Sequence, residues 1–501
     1  MAQSFEQKYI AGQLIQDQNT KKIQRVKQKG NQKQNEYISL HIKKGINLSE
    51  EELNNLISCR FLNLLPIFDK FEHNGERIIV YKDYLNFILE ENSLQDQITA
   101  KRILLQLFLT FAELEERKYY WPLNSIQQLY YYKEMMFLSL IEYDFSKQNQ
   151  RETNLEILKR FYTKYFSQII KIPDDLLQEN SFEQIINFLL KINGDLGKQD
   201  YLRGPYENLL QNLFKVKIFN KIYDTNQSIV KYFQRPENFI CADEQQDQQI
   251  VYKTLRKQNY EGIVELQTNR QIEFLELFYN CSHMAVGYAY FRVLKQPFFF
   301  MRKYYGTLQD KFSQQEIQQI NQKTALQISS RIAYALMELQ KNIIIHRDLK
   351  PDNLYLDKEE LIYSAIYVAD FDRSKVLMNQ NDDQMTIEHQ SNTCRYDPPE
   401  TDGSLKYDIF QYGLIILQLA NKGQYVGNEN AGCRYLNEEE LHKYYSEQSI
   451  ANQLNHTQYP QKFIELIARC LKMKPKDRPS IQEVYEILKD LCQRLTIKKK
   501  N

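Results

Sequence analysis

Three polar side chains within one short segment could act together in phosphate chemistry. The segment from His346 to Asn353 reads HRDLKPDN and contains the carboxylate of Asp348, the ammonium group of Lys350 and the amide of Asn353. Transfer of a phosphoryl group to a hydroxyl needs a carboxylate that accepts the proton, a cation beside the moving phosphate and a neutral oxygen that helps to hold a metal ion. The segment therefore supplies the three kinds of group that phosphoryl transfer requires.

The segment HRDLKPDN resembles the catalytic loop of the eukaryotic protein kinases. Farther along the chain, residues 393–400 (TCRYDPPE) are similar to the end of the activation segment of the Ser/Thr kinases. The resemblance implies that Asp348 orients and deprotonates the hydroxyl and that Lys350, in the Ser/Thr form of the loop, neutralises developing charge. It also implies that Thr393 forms a hydrogen bond near both of them.

Residues 368–372 (VADFD) resemble the metal-binding DFG segment of the same family. By this resemblance Asp370 and Asn353 hold the Mg²⁺ that bridges the phosphates of ATP. The third position of the motif is Asp372, whereas the family has glycine there. Because an aspartate lacks the wide φ range of glycine, we expect a stiffer activation segment that still binds the metal.

The residues expected to hold ATP lie upstream of the catalytic loop. Val251-Tyr252-Lys253 resembles the strand whose lysine contacts the α- and β-phosphates of ATP, which assigns that role to Lys253. The partner of this lysine is a glutamate on the following helix. The order and spacing favour Glu273 and leave Glu276 as the alternative.

A second group of residues corresponds to the adenine site and the phosphate loop. Residues 301–308 (MRKYYGTL), which include Lys303, resemble the hinge that receives adenine, and Phe300 or Met301 is the bulky residue beside the back pocket. The phosphate loop falls by register at residues 222–230 (IYDTNQSIV) and contains no glycine. Since glycines allow backbone N–H groups to approach phosphates closely, we expect a weaker or altered nucleotide contact.

Three further residues have supporting roles by the same resemblance. Asp408 is expected to anchor the backbone of the catalytic loop, and Arg478 is expected to pair with Glu400. Arg347 is the usual partner of a phosphorylated activation loop. Residues that could accept that phosphate are Ser374, Thr386 and Ser391.

The elements that must position these groups can be read from the apolar patterns. Residues 250–255 and 297–301 alternate at strand period, whereas residues 317–340 and most of the chain after 406 follow helical spacing. Strands first and helices later predict an α+β, two-lobed kinase-like fold for residues 216–497.

Parts of the first half of the chain repeat the apolar pattern of the second half. Residues 71–84 and 291–304 share apolar placement at one constant offset along the chain, so residues 1–215 are predicted to be a degenerate kinase-like domain. His41 stands where the lysine is expected, residues 121–128 (WPLNSIQQ) replace the catalytic loop, and Asp144 keeps a catalytic type of group. The alternative is an unrelated helical regulatory domain. We expect the two halves to contact each other.

Composition excludes several other classes of protein. Lys and Arg number 65 against 64 Asp and Glu, so the formal charge is +1 and argues against a dedicated nucleic-acid binder. No apolar stretch is long enough to span a bilayer, and no signal pattern is present, which predicts a cytoplasmic protein. Seven cysteines without a CxxC pair predict neither a disulfide framework nor a zinc site.

The sequence thus predicts a protein Ser/Thr kinase that uses ATP and Mg²⁺ on a protein substrate. One alternative is a kinase-fold scaffold that has lost turnover and acts by binding partners, which the glycine-free loop and Asp372 favour. Another is a kinase for small molecules, against which the activation-segment match at residues 393–400 argues.

Overall fold

The structure is a computed structural model of the chain. It describes all residues except 1–3, 30–35, 44–45, 47, 62, 66, 74, 84, 133–134, 144–151, 180, 193–216, 225–227, 235–249, 256–260, 279–280, 282, 286, 294–295, 378–393, 401–403, 428–435, 455–458 and 498–501.

The chain divides into two compact units. One contains Met1–Glu265, Leu275–Leu277 and Gly287–Lys303, and the other contains Leu266–Phe274, Phe278–Val286 and Tyr304–Asn501. The last division falls inside the segment predicted to be the adenine hinge. The predicted domain boundary at residues 215 and 216 lies outside the described residues and stays a prediction.

The strands, in chain order, are β1 Tyr9–Asp17, β2 Lys21–Gln28, β3 Glu36–Ile42, β4 Asp69–His73, β5 Glu76–Lys82, β6 Leu129–Tyr132, β7 Met135–Leu138, β8 Lys217–Asp224, β9 Ser228–Gln234, β10 Ile250–Leu255, β11 Ala289–Val293, β12 Gln296–Arg302, β13 Gly306–Thr307, β14 Ile344–Ile345, β15 Leu354–Leu356, β16 Ile366–Val368 and β17 Lys375–Val376.

The α-helices are α1 Phe5–Lys8, α2 Glu50–Ser58, α3 Gln97–Glu116, α4 Asn154–Tyr165, α5 Asp174–Gln178, α6 Phe182–Ile192, α7 Glu261–Phe278, α8 Leu308–Phe312, α9 Gln315–Gln318, α10 Gln322–Lys341, α11 Leu405–Ala420, α12 Glu438–Tyr445, α13 Glu447–Gln453, α14 Gln461–Cys470 and α15 Ile481–Ile497. Sheets and helices follow each other as predicted, which confirms the α+β class. No described helix is long and apolar enough to cross a membrane.

Two five-stranded antiparallel sheets have the same topology. The first has the order β1-β2-β3-β5-β4 and the second the order β8-β9-β10-β12-β11 read from its other edge. In each, a helix, α2 or α7, connects the third strand to the fourth. The β4–β5 and β11–β12 hairpins agree residue for residue, since Phe71 pairs with Ile78 as Phe291 pairs with Phe298. We call the distance along the chain from Phe71 to Phe291 the hairpin offset.

The same kind of match extends to backbone hydrogen bonds. The N–H of Leu65 donates to the carbonyl of Leu138 at 2.8 Å, and the N–H of Ala285 donates to the carbonyl of Val368 at 2.7 Å. A parallel bridge accompanies each bond, Leu64 with Leu138 and Met284 with Val368. The helix-to-strand connection is therefore built in the same way in both parts of the chain.

The register of the two sheets corrects one prediction. In the second sheet, Lys253 pairs with Phe299. The hairpin offset makes Ile79 the counterpart of Phe299, and in the first sheet Ile79 pairs with Leu40. The residue that takes the place of the lysine is therefore Leu40, and His41 lies one position too far along the strand. A shift of one residue exchanges the two faces of a strand, and the sequence YISLHI does not fix it.

The segments after the two hairpins match at a second, longer distance along the chain, the distance from Trp121 to His346. We call it the loop offset. Helix α3 and helix α10, which match by it, both have 20 residues, and short 3₁₀ helices occur at Ile126–Gln128 and at Pro351–Asn353. The strands β6 and β15 begin directly after them. Residues 121–128 and residues 346–353 therefore both follow a 20-residue helix and both run into a short 3₁₀ helix.

The largest described apolar core lies among the C-terminal helices. Helices α10, α11, α14 and α15 contribute most of its buried side chains, which follow helical spacing. Asn321 caps the start of α10, because its side chain accepts from the N–H of Thr324, and Ser404 caps the start of α11, because its side chain accepts from the N–H of Lys406. These caps fix where the two helices begin, and Asp408 lies in the first turn of α11.

Candidate active site

One buried carboxylate anchors the backbone of the catalytic loop. Asp408 lies in the first turn of α11, and its two oxygens accept from the N–H of His346 at 2.8 Å and from that of Arg347 at 2.9 Å. Burial raises the pKa of Asp408, and the two backbone donors oppose that rise. The predicted anchoring role of Asp408 is confirmed.

The loop brings together the three groups singled out in the sequence. The Lys350 ammonium is 2.9 Å from Oδ2 of Asp348, and Nδ2 of Asn353 is 3.1 Å from the same oxygen. The amide of Asn353 also donates to the carbonyl of Asp348 at 2.8 Å. Each of the three side chains is largely buried. A carboxylate between a cation and an amide donor is thereby held in one orientation.

Two residues that the sequence analysis missed also support the loop. Gln411, one helical turn after Asp408, accepts from the N–H of Leu349 at 3.0 Å. The Arg373 guanidinium approaches Asp348 to 3.8 Å. The spacing from Asp408 to Gln411 was a usable signal, because residues three apart lie on one helix face.

The DFG-like segment lies against the same loop. The N–H of Ala369 donates to the carbonyl of Asn353 at 2.9 Å, and the His346 ring bonds to the carbonyl of Ala369 at 3.0 Å. Asp370 has φ 66° and ψ 70°, a left-handed conformation that is strained for a residue with a side chain. The surrounding contacts must maintain it.

Asn353 and Asp370 are suited to Mg²⁺. Both offer hard oxygen ligands, and the N–H of Ala369, the residue before Asp370, donates to the carbonyl of Asn353. Mg²⁺ commonly takes one or two carboxylates together with substrate phosphates and water. No group of three or more His, Cys, Asp or Glu side chains that could hold a metal is found among the described residues. The pair is therefore adequate for Mg²⁺ that arrives with a nucleotide.

The predicted nucleotide residues are placed as follows. Lys253 is half-buried in β10, paired with Phe299 on one side and Val230 on the other. Phe300 is fully buried, Met301 is half-buried and Lys303 is exposed. The tip of the phosphate loop, residues 225–227, lies outside the described residues.

The helix glutamates differ from each other in environment. Glu273 is exposed, and Glu276 accepts a hydrogen bond from Nη1 of Arg117 at 2.7 Å. Burial raises the pKa of Glu276, and the Arg117 guanidinium opposes that rise. The assignment of Glu273 as the partner of Lys253 stays a prediction.

The end of the activation segment is held by a two-point ion pair. Nη1 and Nη2 of Arg478 lie 2.5 and 2.6 Å from the two oxygens of Glu400. The Arg478 side chain is fully buried, so this geometry confirms the predicted pair. Thr393, Thr386 and Ser391 lie outside the described residues.

Arg347 has a described partner close to the catalytic loop. Its Nε donates to the carbonyl of Arg373 at 2.6 Å, and burial, together with the charges of Arg270 and Arg373, lowers the pKa of Arg347. The Ser374 hydroxyl is buried and donates to the carbonyl of His346 at 3.3 Å. Ser374 is therefore a poor phosphate acceptor in this conformation.

A buried polar network lies elsewhere, in the unit that contains the first half of the chain. We call it the Glu113 cluster; its members are Glu113, Arg117, Glu276, Tyr290 and Arg292. Glu113 accepts from Nε of Arg117 at 2.8 Å and from the Tyr290 hydroxyl at 2.7 Å, and it lies 3.2 Å from Nε of Arg292. Burial raises the pKa of Tyr290 well above its usual value, so its hydroxyl remains a donor.

The backbone beside the Glu113 cluster is also paired. The N–H of Tyr290 donates to the carbonyl of Arg60 at 3.0 Å, and Phe61 forms a parallel bridge with Tyr290. The sequence analysis did not identify these contacts. They join residues that are far apart along the chain, and no local pattern marks them.

The loop at residues 121–128 has neither the carboxylate nor the ammonium group of its counterpart. Leu123 stands where the second loop has Asp348, and Gln128 stands where it has Asn353. The Gln128 amide instead accepts from the N–H groups of Asn124 and Ser125 at 2.6 and 2.9 Å. Asp144, the acidic residue expected to persist, lies outside the described residues.

Comparison with known proteins gives one family. A family profile described as "Protein kinase domain" matches residues 237–487. A probable serine/threonine-protein kinase of Dictyostelium discoideum, kinX, is 29% identical over 171 residues, which cover 33% of this chain and 14% of kinX. Serine/threonine-protein kinase 12 of Arabidopsis thaliana is 28% identical over 176 residues, which cover 34% of this chain and 35% of that protein.

A third relative matches over a longer stretch. It is a probable LIM domain-containing serine/threonine-protein kinase of Dictyostelium discoideum, 24% identical over 351 residues, which cover 67% of this chain and 47% of the relative. This match is longer than the segment from residue 216 to the end, so it reaches into the first half. The chain covers less than half the length of each of these three relatives.

Proposed function

The chain belongs to the protein kinase family, and we propose that it transfers the γ-phosphate of ATP to serine or threonine residues of a protein substrate. The observation that carries the proposal is that Lys350 and Asn353 both bond to the Asp348 carboxylate. The Lys350 form of the loop and the names of the three relatives described above support the choice of serine and threonine.

In the proposed reaction, Asp348 orients the substrate hydroxyl and accepts its proton. The hydroxyl oxygen forms a bond to the γ-phosphorus, and the bond from that phosphorus to the oxygen it shares with ADP breaks. Lys350 stabilises the negative charge on the transferring group. Bound Mg²⁺ would neutralise phosphate charge, and Asn353 and Asp370 are the residues that would hold it.

A radiolabelled-ATP assay on a general protein substrate tests this proposal. We expect Asp348→Asn to lower turnover by about 10²- to 10⁴-fold, since an amide cannot accept the proton. The matched control is Asp490→Asn, which alters an exposed ion pair with Arg494 and should leave turnover unchanged. Phosphoamino-acid analysis identifies the acceptor. Equal incorporation by wild type and Asp348→Asn, or none by either, would reject the proposal.

A second candidate function is a kinase-fold scaffold without turnover. The observation that favours it is Asp372 in place of the family's glycine. A thermal-shift measurement separates the two functions, because a ligand that binds only the folded state must raise its melting temperature. A rise with millimolar Mg·ATP supports the kinase, and no rise supports the scaffold.

We also propose that residues 1–215 form a degenerate kinase-like domain that regulates the rest of the chain. The equal strand order of the two sheets, together with the constant hairpin and loop offsets, supports the kinase-like part. The Glu113 cluster supports the regulatory part, because it joins α3 to β11 and to Glu276 of α7. The loss of the base, lysine and asparagine at residues 121–128 argues that this domain itself does not transfer phosphate.

A further inference from the structure

Asp372 is bound to helix α7 by its side chain and by its backbone. Nε2 of Gln271 donates to Oδ1 of Asp372, and Nη1 of Arg270 donates to the carbonyl oxygen of Asp372 at 3.3 Å. The two donors are consecutive residues of one helix. We call this pair of bonds the Asp372 clasp. A glycine at this position could form the backbone bond but not the bond to Gln271.

The residue before Asp372 is held by the same helix. The Phe371 ring lies 5.4 Å from the ring of Phe274 and 5.5 Å from that of Phe278, and the His346 ring meets it edge-on at 5.3 Å. Phe274 and Phe278 are one helical turn apart and both are buried. The apolar stack and the polar clasp therefore attach two successive residues to α7.

The residues after Asp372 are bound to the catalytic loop. Arg347 donates to the carbonyl of Arg373, and the Ser374 hydroxyl donates to the carbonyl of His346. Each residue from Phe371 to Ser374 thus has a described partner outside the segment.

The backbone conformation of Asp370 explains why the attachment of residues 371–374 matters. Its positive φ is a conformation that persists only where the neighbouring structure holds it. A glycine two positions later would give the backbone additional conformations, whereas an aspartate bound to Gln271 restricts them. The bond between Gln271 and Asp372, which a glycine could not form, therefore restricts the backbone beside Asp370, the residue expected to hold the metal.

We propose that Asp372 is a positioning residue, whose bond to Gln271 holds the segment Asp370–Phe371 against helix α7 in a single conformation before any nucleotide binds. The aspartate at this position is then a gain in rigidity of the metal-binding segment rather than a sign of lost function.

Hydrogen–deuterium exchange of the full-length protein without nucleotide tests the clasp directly. The peptides of interest cover residues 369–377. We expect Asp372→Gly and Gln271→Ala each to raise exchange there by about tenfold, the effect of losing one charge-assisted hydrogen bond. The double variant should exchange no faster than Asp372→Gly, because both changes break the same bond. Gln482→Ala, which breaks an exposed Gln–Glu bond on α15, is the matched control.

Unchanged exchange in Gln271→Ala, or effects that add in the double variant, would overturn the proposal. Gln271 is half-buried, so its alanine variant should fold even if Asp372→Gly does not. This readout requires no turnover and is independent of the proposed function.

A kinetic readout extends the test and rests on the proposed kinase function. Where fewer molecules hold Asp370 in the competent conformation, the apparent affinity for nucleotide falls by that fraction. We expect Asp372→Gly to raise KM for Mg·ATP several-fold and to change kcat little. An equal loss in kcat with unchanged KM would contradict positioning. Absence of turnover in the wild type would reject the proposed function and leave hydrogen exchange to decide on the clasp.

Discussion

The loops at residues 121–128 and 346–353 share a backbone framework and differ in their chemistry. Each follows a 20-residue helix, closes with a 3₁₀ turn and leads into a short antiparallel hairpin. Trp121 and His346, at equivalent positions, are both buried aromatic rings. The framework depends on burial and backbone hydrogen bonds, which many side chains permit, whereas phosphate transfer requires particular groups. A loop can therefore lose its reactive residues and keep its fold.

The anchors of the two loops also differ. The N–H of Trp121 donates to the side-chain oxygen of Asn154 at 3.0 Å, whereas the N–H of His346 donates to the carboxylate of Asp408 at 2.8 Å. Both anchors are buried in the first turn of a later helix. The loop with the reactive residues has the charged anchor, which holds two N–H groups instead of one.

The largest expected effect is a loss of stability, and it concerns the helix that precedes each loop. Glu113→Ala removes the shared partner of Arg117, Tyr290 and Arg292, so we expect a loss of about 3–5 kcal/mol in unfolding free energy, as for a broken buried ion pair. Urea unfolding followed by the fluorescence of Trp121, the sole tryptophan, measures it.

The control for this prediction is Glu338, which matches Glu113 by the loop offset. Glu338 bonds to His283 at 3.3 Å and is partly exposed, so Glu338→Ala should cost under about 1 kcal/mol. If turnover is unaffected by Glu113→Ala at a temperature where the variant is folded, the proposed regulatory role of the cluster is wrong.

The anchors give the second prediction. Asp408→Ala leaves two buried N–H groups without an acceptor and should cost about 2–4 kcal/mol, with loss of turnover. Asn154→Ala releases one N–H group and should cost about 1–2 kcal/mol, with turnover retained. Calorimetric melting and the ATP assay together measure both. Equal losses of stability would show that the second N–H bond contributes nothing.

The smallest expected effect on stability concerns the last residue of each 3₁₀ turn. Gln128→Ala removes a cap on the turn and should cost about 1 kcal/mol of stability without changing turnover. Asn353→Ala should abolish most turnover, because it removes an expected metal ligand and a donor to Asp348. The ATP assay and thermal melting compare the two variants. If Gln128→Ala lowered turnover, the conclusion that the loop at residues 121–128 has only a structural role would be wrong.

The sequence predicted the site where function dictates local order. The octet HRDLKPDN, Asp408 and the pair of Arg478 with Glu400 could be identified because their local sequences resemble kinase motifs, and the structure shows the expected contacts in each. His41 was misplaced by one residue because an apolar strand does not specify its register. The Glu113 cluster and the Asp372 clasp could not be predicted, since each joins distant segments through side chains that are common on helices.

The loop offset is longer than the hairpin offset, and this change locates a difference in chain length. It falls between the end of β5 or β12 and the start of α3 or α10, the stretch that in the second half contains β13, α8 and α9. Under the proposed tandem arrangement, one small insertion or deletion in this connection accounts for the difference. The strands before this connection and the helix after it have the same lengths in both halves, so the difference in chain length is confined to the connection itself.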